Sequence, residues 1–223
     1  MTRQNPSFIA AAPRGISVNK LLRDTYLLLS ATLLFSALMA GVALVRGVSY
    51  FNPLLALVGM IGLYMLTIAL RESKLGILAV FAFTGFMGYT IGPALNYYLT
   101  SFSNGEALVL TALGGTGIIF LSLSFYAITT KKNFDYLAAF ITVGLVVAIL
   151  AGTVALFVNV PILSLVISAA FVLLCSAMIL FQTSLIVRGG ERNAIMATIS
   201  LYVALLNLFL SLLQLLSVFA GRR

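Results

Sequence analysis

Long apolar segments alternate with short polar or charged segments along most of this chain, a pattern typical of helices that cross a membrane. The hydrocarbon core of a bilayer is about 30 Å thick, and roughly 20 apolar residues in a helix span it. The pattern therefore predicts an all-α integral membrane protein that folds as a bundle of seven transmembrane helices. The predicted spans are 25–45, 51–70, 75–99, 107–129, 136–158, 161–187 and 194–219.

The last predicted span differs from the others because polar and small residues recur along it. Their positions are separated by four and three residues in turn, which keeps them on one face of a helix. A polar amide that faces lipid tails costs free energy, so this face should contact protein or water. We therefore predict that the C-terminal helix is central in the bundle, with the other spans around it. The face consists of Ser200, Ala204, Asn207, Ser211 and Gln214, and leucines fill the opposite face.

The segment before the first span is polar and basic, and two prolines and a glycine interrupt it. The length of the first apolar run, and its distance from the start, argue against a cleaved signal peptide. We interpret residues 1–23 as a retained cytoplasmic tail and residues 24–223 as one transmembrane domain. Pro93 lies inside the third span, and a proline lacks the backbone N–H of a continuous helix, so we expect a kink or a helix end there.

Composition supports the membrane assignment and argues against several kinds of chemistry. Of the 223 residues, 62% are hydrophobic and 8% are charged, more apolar surface than a soluble domain of this length can bury. The chain has no histidine and only five acidic residues, so neither a metal site nor acid–base catalysis is indicated. We predict a protein that is not an enzyme and has no cofactor. Cys175, the single cysteine, is expected to be a small buried residue.

The net charge of +8 is better explained by membrane topology than by nucleic-acid binding, because the basic residues lie in short segments between spans. Ten of the 13 Lys and Arg residues fall on one side of the predicted bundle and three on the other. Basic residues concentrate on the cytoplasmic side of membrane proteins. The distribution predicts a cytoplasmic N-terminus and a periplasmic C-terminus. Arg222 and Arg223 would then lie on the outer side, a conflict that an even number of spans would remove.

Glycines in the third and fourth spans predict close contacts between helices. Gly85, Gly88 and Gly92 share one face of the third span, and Gly114 and Gly115 are adjacent in the fourth. A glycine face lets a neighbouring helix backbone approach closely, so tight packing is the favoured interpretation. A path for a ligand or ion along the same face is the alternative. The glycine spacing matches neither phosphate-binding nor dinucleotide-binding loops.

A second polar cluster lies near the end of the sixth span, at Gln182. The favoured interpretation is a hydrogen bond between helices, in which Gln182 meets Asn207 across the bundle. The alternative is a closed pore with a polar lining. The candidate lining residues are Gln182, Ser200, Asn207, Ser211 and Gln214. No ionisable residue is clearly at mid-depth in a predicted span, which argues against proton-coupled transport.

Several motifs resemble those of the Bax inhibitor family of seven-span membrane proteins, most closely its bacterial YccA-like branch. The similarity follows nearly the whole chain in order. The matching segments are 21–26 (LLRDTY), 81–86 (FAFTGF), 88–96 (GYTIGPALN), 113–116 (LGGT), 129–132 (TTKK), 179–184 (ILFQTS), 189–191 (GGE) and 197–203 (ATISLYV).

The resemblance implies six helices around a central C-terminal helix, an inner-membrane location and a cytoplasmic N-terminus. It implies binding to the membrane-bound ATP-dependent protease FtsH, which such proteins restrain and which degrades them slowly by way of the N-terminal tail. Other family members leak calcium, and a pair of aspartates on the sixth and seventh helices senses pH. Gln182 and Ala204 occupy those two positions here, and neither side chain can titrate.

Two functional hypotheses follow from the residues and the resemblance together. The favoured hypothesis is a non-enzymatic modulator of FtsH that is also its slow substrate. The alternative is a cation (calcium) leak channel, which the replacement of both aspartates disfavours.

Overall fold

The computed structural model of the chain describes residues 18–157 and 161–220. Its helices in this part of the chain are α1 (Val18–Val45), α2 (Pro53–Leu70), α3 (Leu75–Thr90), α4 (Gly92–Ser101), α5 (Gly105–Thr130), α6 (Tyr136–Phe157), α7 (Pro161–Val187) and α8 (Ala194–Phe219). The helices α3 and α4 together form one span, so the described residues contain seven spans long and apolar enough to cross a membrane. This confirms the predicted all-α membrane bundle.

Side-chain caps and prolines explain where several helices begin. Asn52 precedes α2 and accepts hydrogen bonds from the backbone N–H groups of Leu54 and Leu55, and Pro53 occupies the first turn. A proline suits the first turn because the backbone N–H that it lacks would have no acceptor within the helix there. The third span is interrupted at Ile91, with Pro93 in the first turn of α4. The predicted break in this span is therefore confirmed.

The C-terminal helix α8 is the central element. Its main contacts are with α1, α3, α5 and α7. Within the most apolar stretch of α8, 56% of the residues are buried, compared with 6% in α2 and in α6. The helix α2 packs chiefly on α3, and α6 packs chiefly on α7. The central position of α8 agrees with the prediction, whereas α2 and α6 lie mainly outside the first layer of helices around it.

The first helix begins earlier than predicted. Residues 18–23, assigned from the sequence to the tail, form the first turns of α1. They are helical because Leu21 continues the buried face of α1, which then recurs at Thr25 and Leu29. Residues 1–17, and the terminal arginines Arg222 and Arg223, lie outside the described residues.

One end of the bundle carries most of the basic residues of the described chain. The segments 71–74, 131–135 and 188–193, together with the start of α1, meet at this end. We call it the basic end. Lys74, Lys131 and Lys132 are exposed at this end.

Candidate functional site

A groove with a volume of about 520 Å³ lies beside α8, with α2 and α6 at its two rims. Helices α3, α7 and α8 form its base, because α2 packs on α3 and α6 packs on α7. The lining is almost entirely apolar. The residues that line this α2–α6 groove are Met60, Ile61, Tyr64, Met65, Phe83, Ile141, Leu145, Phe171, Leu174, Cys175, Met178, Ile199, Ser200, Val203, Ala204 and Asn207.

The structure places part of the polar face of α8 on this groove. Ser200, Ala204 and Asn207 line it, whereas Ser211 is buried elsewhere and Gln214 is partly buried outside the lining. Most positions of α8 at the middle of the bundle are apolar or aromatic, and Thr198, which donates to the carbonyl of Thr25, is a polar exception. The fully buried ones include Leu201, Tyr202, Leu208 and Leu213. Ser200, Asn207 and Gln214 are therefore only partly buried, and the polar face is directed toward the groove over part of its length.

The expected hydrogen bond between Gln182 and Asn207 is not formed. Asn207 Nδ2 donates to the carbonyl of Val203 on its own helix, at 2.8 Å. Gln182 is buried and makes no side-chain hydrogen bond within the described part of the chain. The two residues lie at different depths. The end of α7 and the start of α8 are at the same end of the bundle, and a helix rises about 1.5 Å per residue. Gln182 is therefore about 8 Å from that end and Asn207 about 20 Å from it.

Gln182 and Ala204, which the resemblance matches to the family aspartates, have different environments. Ala204 is 4% exposed and lies at the base of the groove, while Gln182 is 5% exposed and is not part of the groove lining. No Asp or Glu lines the groove. Within the described residues, no group of three His, Cys, Asp or Glu side chains is arranged to hold a metal ion.

The glycine face of the third span lies against α1. A Cβ atom at Gly88 would be 2.2 Å from the carbonyl oxygen of Ser36, which no side-chain rotation can move. At Gly85 it would meet the Phe35 ring at 2.4 Å. At Gly92 it would meet the Cβ of Ala43, also at 2.4 Å. These glycines therefore let α3 and α4 pack directly against the Phe35 ring, the Ser36 backbone and Ala43 of α1.

The expected close crossing at Gly114 and Gly115 is absent. A Cβ at Gly114 would have no neighbour within 4 Å, and one at Gly115 would make an ordinary contact of 3.5 Å with Leu212. The buried positions of α5 include Ala112 and Thr116. Because Gly114 lies two residues from each, it is directed away from that buried face.

A buried polar contact at Tyr202 was not predicted from the sequence. The Tyr202 hydroxyl donates to the carbonyl of Thr84 at 3.1 Å, and Ser36 Oγ lies 2.6 Å from the same oxygen. Because the tyrosine proton is given to Thr84, the Ser36 hydroxyl is the donor in the second bond. This cluster joins α1, α3 and α8. The signal in the sequence was a tyrosine well inside a span, where its hydroxyl requires a partner.

Hydrogen bonds also join the segments at the basic end. Ser184 Oγ donates to the carbonyl of Lys132 at 2.9 Å. Arg188 forms an ion pair with Asp135, and this hydrogen-bonded guanidinium lowers the pKa of the Asp135 carboxyl from its usual value. The start of α6 is thereby held against the end of α7.

Asn193 makes a further connection at this end. Its side-chain oxygen accepts from the backbone N–H groups of Ile195 and Met196 and so caps α8. Its Nδ2 donates to the carbonyl of Arg71 at 3.0 Å. The segment before the central helix is therefore tied to the segment between α2 and α3.

Comparison with known families and proteins identifies the group to which this bundle belongs. The family model described as Inhibitor of apoptosis-promoting Bax1 matches residues 18–221. The chain belongs to the Bax inhibitor family. This match covers the described bundle, from the first residue of α1 to beyond the end of α8.

Several bacterial proteins are similar to the chain over most of their length. An uncharacterized protein of Pseudomonas aeruginosa is 47% identical over 221 residues, which cover 99% of each chain. The Escherichia coli protein YccA, named modulator of FtsH protease, is 45% identical over 207 residues and 93% of each chain. An uncharacterized protein of Neisseria meningitidis is 33% identical over 209 residues. The resemblance to a bacterial YccA-like protein is thus confirmed.

Proposed function

We propose that this protein is a non-enzymatic modulator of the membrane protease FtsH, which it inhibits and which slowly degrades it. The observation that carries the proposal is the similarity to YccA, a named modulator of FtsH, at 45% identity across 93% of both chains. The architecture supports a regulatory role. The segments that join the described helices are short, so an activity must act from the bundle or through a partner.

The proposal includes a location and an orientation. A relative named as an inner membrane protein is 45% identical to this chain, and we assign the same membrane here. We place the basic end of the bundle in the cytoplasm, following the rule that basic residues remain on that side. The N-terminus is then cytoplasmic and the C-terminus periplasmic.

Co-purification and substrate turnover together test this function. The tagged full-length protein should co-purify with FtsH from detergent-solubilised membranes. Its overproduction should lengthen the half-lives of membrane proteins that FtsH degrades at least twofold. A soluble FtsH substrate is the matched control and should keep its half-life if the effect is restricted to membrane substrates. Absence of co-purification together with unchanged turnover of membrane substrates would refute the proposal.

The N-terminal tail, much of which lies outside the described residues, is proposed as the segment that FtsH engages. Deletion of residues 2–15 should at least double the cellular half-life of the protein, measured by pulse–chase. A full-length variant with Arg3→Gln and Arg14→Gln separates the two roles of the tail. This variant should be degraded at the normal rate if the tail acts by its length and not by its charge. An unchanged half-life after the deletion would leave the tail as a topology signal.

The cation-leak hypothesis has weaker support than modulation of a protease. The groove lining has no carboxylate, and its polar side chains are Ser200, Asn207 and the hydroxyl of Tyr64. Calcium is bound by several oxygen ligands, carboxylates among them. Calcium flux into liposomes that contain the purified protein separates the two functions, and we expect no flux above that of protein-free liposomes.

A further inference from the structure

The base of the α2–α6 groove combines partly exposed polar groups with an apolar surround. Asn207 donates one N–H to Val203, but its carboxamide oxygen accepts no hydrogen bond from the described residues. Ser200 likewise makes no side-chain hydrogen bond within the described chain, and both residues are only partly buried. Lipid tails cannot satisfy such groups, so an acyl chain in this position leaves them without partners.

The walls of the groove are suited to a partner of variable shape. Met60 and Met65 lie on the α2 side, and Met178 lies on α7. Methionine side chains are unbranched and flexible, so surfaces rich in them can adapt to different partners. Three of the seven methionines of the chain line this one groove.

The arrangement of the rims leaves one side of the groove open along α2 and α6. These two helices have their main contacts with α3 and α7, and they are the least buried of the described spans. Met65 on one rim is 59% exposed and Leu145 on the other is 47% exposed. A helix with side chains is about 10 Å wide. The volume of about 520 Å³ therefore suits the side chains along one face of such a helix, with its backbone lying at the opening.

We propose that the α2–α6 groove binds one transmembrane helix of the partner protease, with a small or hydrogen-bonding residue of that helix placed against Asn207. The inference rests on the proposed function and adds the surface through which the two membrane proteins meet. Interfaces between transmembrane helices combine close packing with hydrogen bonds from Asn, Gln, Ser and Thr side chains. A helix can satisfy the polar base of the groove, whereas a lipid tail cannot.

Blocking the groove tests the proposal directly. Leu145→Trp enlarges a side chain on the α6 rim and should reduce co-purification of FtsH at least fivefold. Leu121→Trp is the matched control, because Leu121 is a 65% exposed residue of α5 outside the groove. It should leave co-purification unchanged. Asn207→Leu, which removes the polar group at the base, should reduce association at least threefold.

A photoreactive residue provides evidence that does not depend on the folding of these variants. Benzoylphenylalanine at Met65, in an otherwise wild-type chain, should cross-link to a transmembrane segment of FtsH, and the same residue at Leu121 should not. Cross-links from position 65 to lipid alone would overturn the proposal in favour of a lipid crevice. Equal FtsH binding by wild type, Leu145→Trp and Asn207→Leu would overturn it too, while leaving the proposed function intact. Failure of the wild type to bind FtsH, together with unchanged turnover of membrane substrates, would instead refute the proposed function.

Discussion

Substitution of Gly88 by alanine is expected to lower the free energy of unfolding of the bundle by about 3 kcal/mol, the upper end of the usual cost of overpacking. The added Cβ would lie 2.2 Å from the carbonyl oxygen of Ser36 and 2.8 Å from its carbonyl carbon. Both are backbone atoms, so relief requires α1 and α3 to move apart. Such a movement would also strain the contact between Ser36 and Tyr202.

Gly114→Ala is the matched control because it introduces the same methyl group into a membrane helix. No heavy atom lies within 4 Å of the Cβ position there. Alanine favours a helix over glycine by about 1 kcal/mol, so this variant should be as stable as the wild type or slightly more stable. The measurement is loss of helicity on heating in detergent, followed by circular dichroism. Equal midpoints for Gly88→Ala and Gly114→Ala would show that α1 and α3 are not closely packed.

Comparison of these two glycines shows why only part of the packing could be predicted from the sequence. The spacing of Gly85, Gly88 and Gly92 places three small residues on one face of the span. That face therefore identifies the side on which a neighbouring helix packs, which in the structure is α1. The pair Gly114 and Gly115 spans about 100° of the helix circumference and specifies no face. The side of α5 that packs against the bundle instead includes Ala112 and Thr116, which are buried.

The number of spans and the break in the third span followed from constraints that depend little on tertiary contacts. A bilayer requires long apolar helices, and a proline removes a backbone donor wherever it lies. The start of α1 was misplaced because Lys20 and Arg23 suggested a solvated tail. The helix extends past them because Leu21, on the same turn, is packed into the core at 3% exposure.

The central position of α8 was predicted correctly, but the polar face is not its most buried side. The polar residues at 200 and 207 were expected to contact protein or water, and the structure places them at the base of a groove beside α8. The buried side carries Tyr202, with its hydroxyl group satisfied by two partners. Periodicity therefore identified the unusual helix, but it did not show which of its sides faces the core, where the Tyr202 hydroxyl is hydrogen-bonded.

Tyr202 and the groove residues are related through this rotation. Ser200 and Ala204 are each two residues from Tyr202, or about 160° around the helix when measured the shorter way. A contact that holds Tyr202 against α1 and α3 therefore directs Ser200 and Ala204 toward the α2–α6 groove. The hydrogen-bonded Tyr202 on one side of α8 and the proposed binding surface on the other side are therefore linked by the rotation of this helix.

Tyr202→Phe is expected to cost about 2 kcal/mol of unfolding free energy, because it removes two buried hydrogen bonds and leaves the Ser36 hydroxyl without its acceptor. Tyr50→Phe is the control for the loss of a hydroxyl, since Tyr50 is 72% exposed. Its effect should lie within about 0.5 kcal/mol of zero.

A double-mutant cycle with Ser36→Ala measures how much of this cost belongs to the bond between the two hydroxyls. The combined variant should lose about 1 kcal/mol less than the sum of the single variants, because each single change already breaks the same bond. Ser30→Ala on the same helix is the matched serine control, since among the described residues the Ser30 hydroxyl bonds only to the Tyr26 carbonyl of α1. Its effect should be additive with Tyr202→Phe. Additive losses for Ser36→Ala as well would mean that α8 is held in its rotation by apolar packing alone.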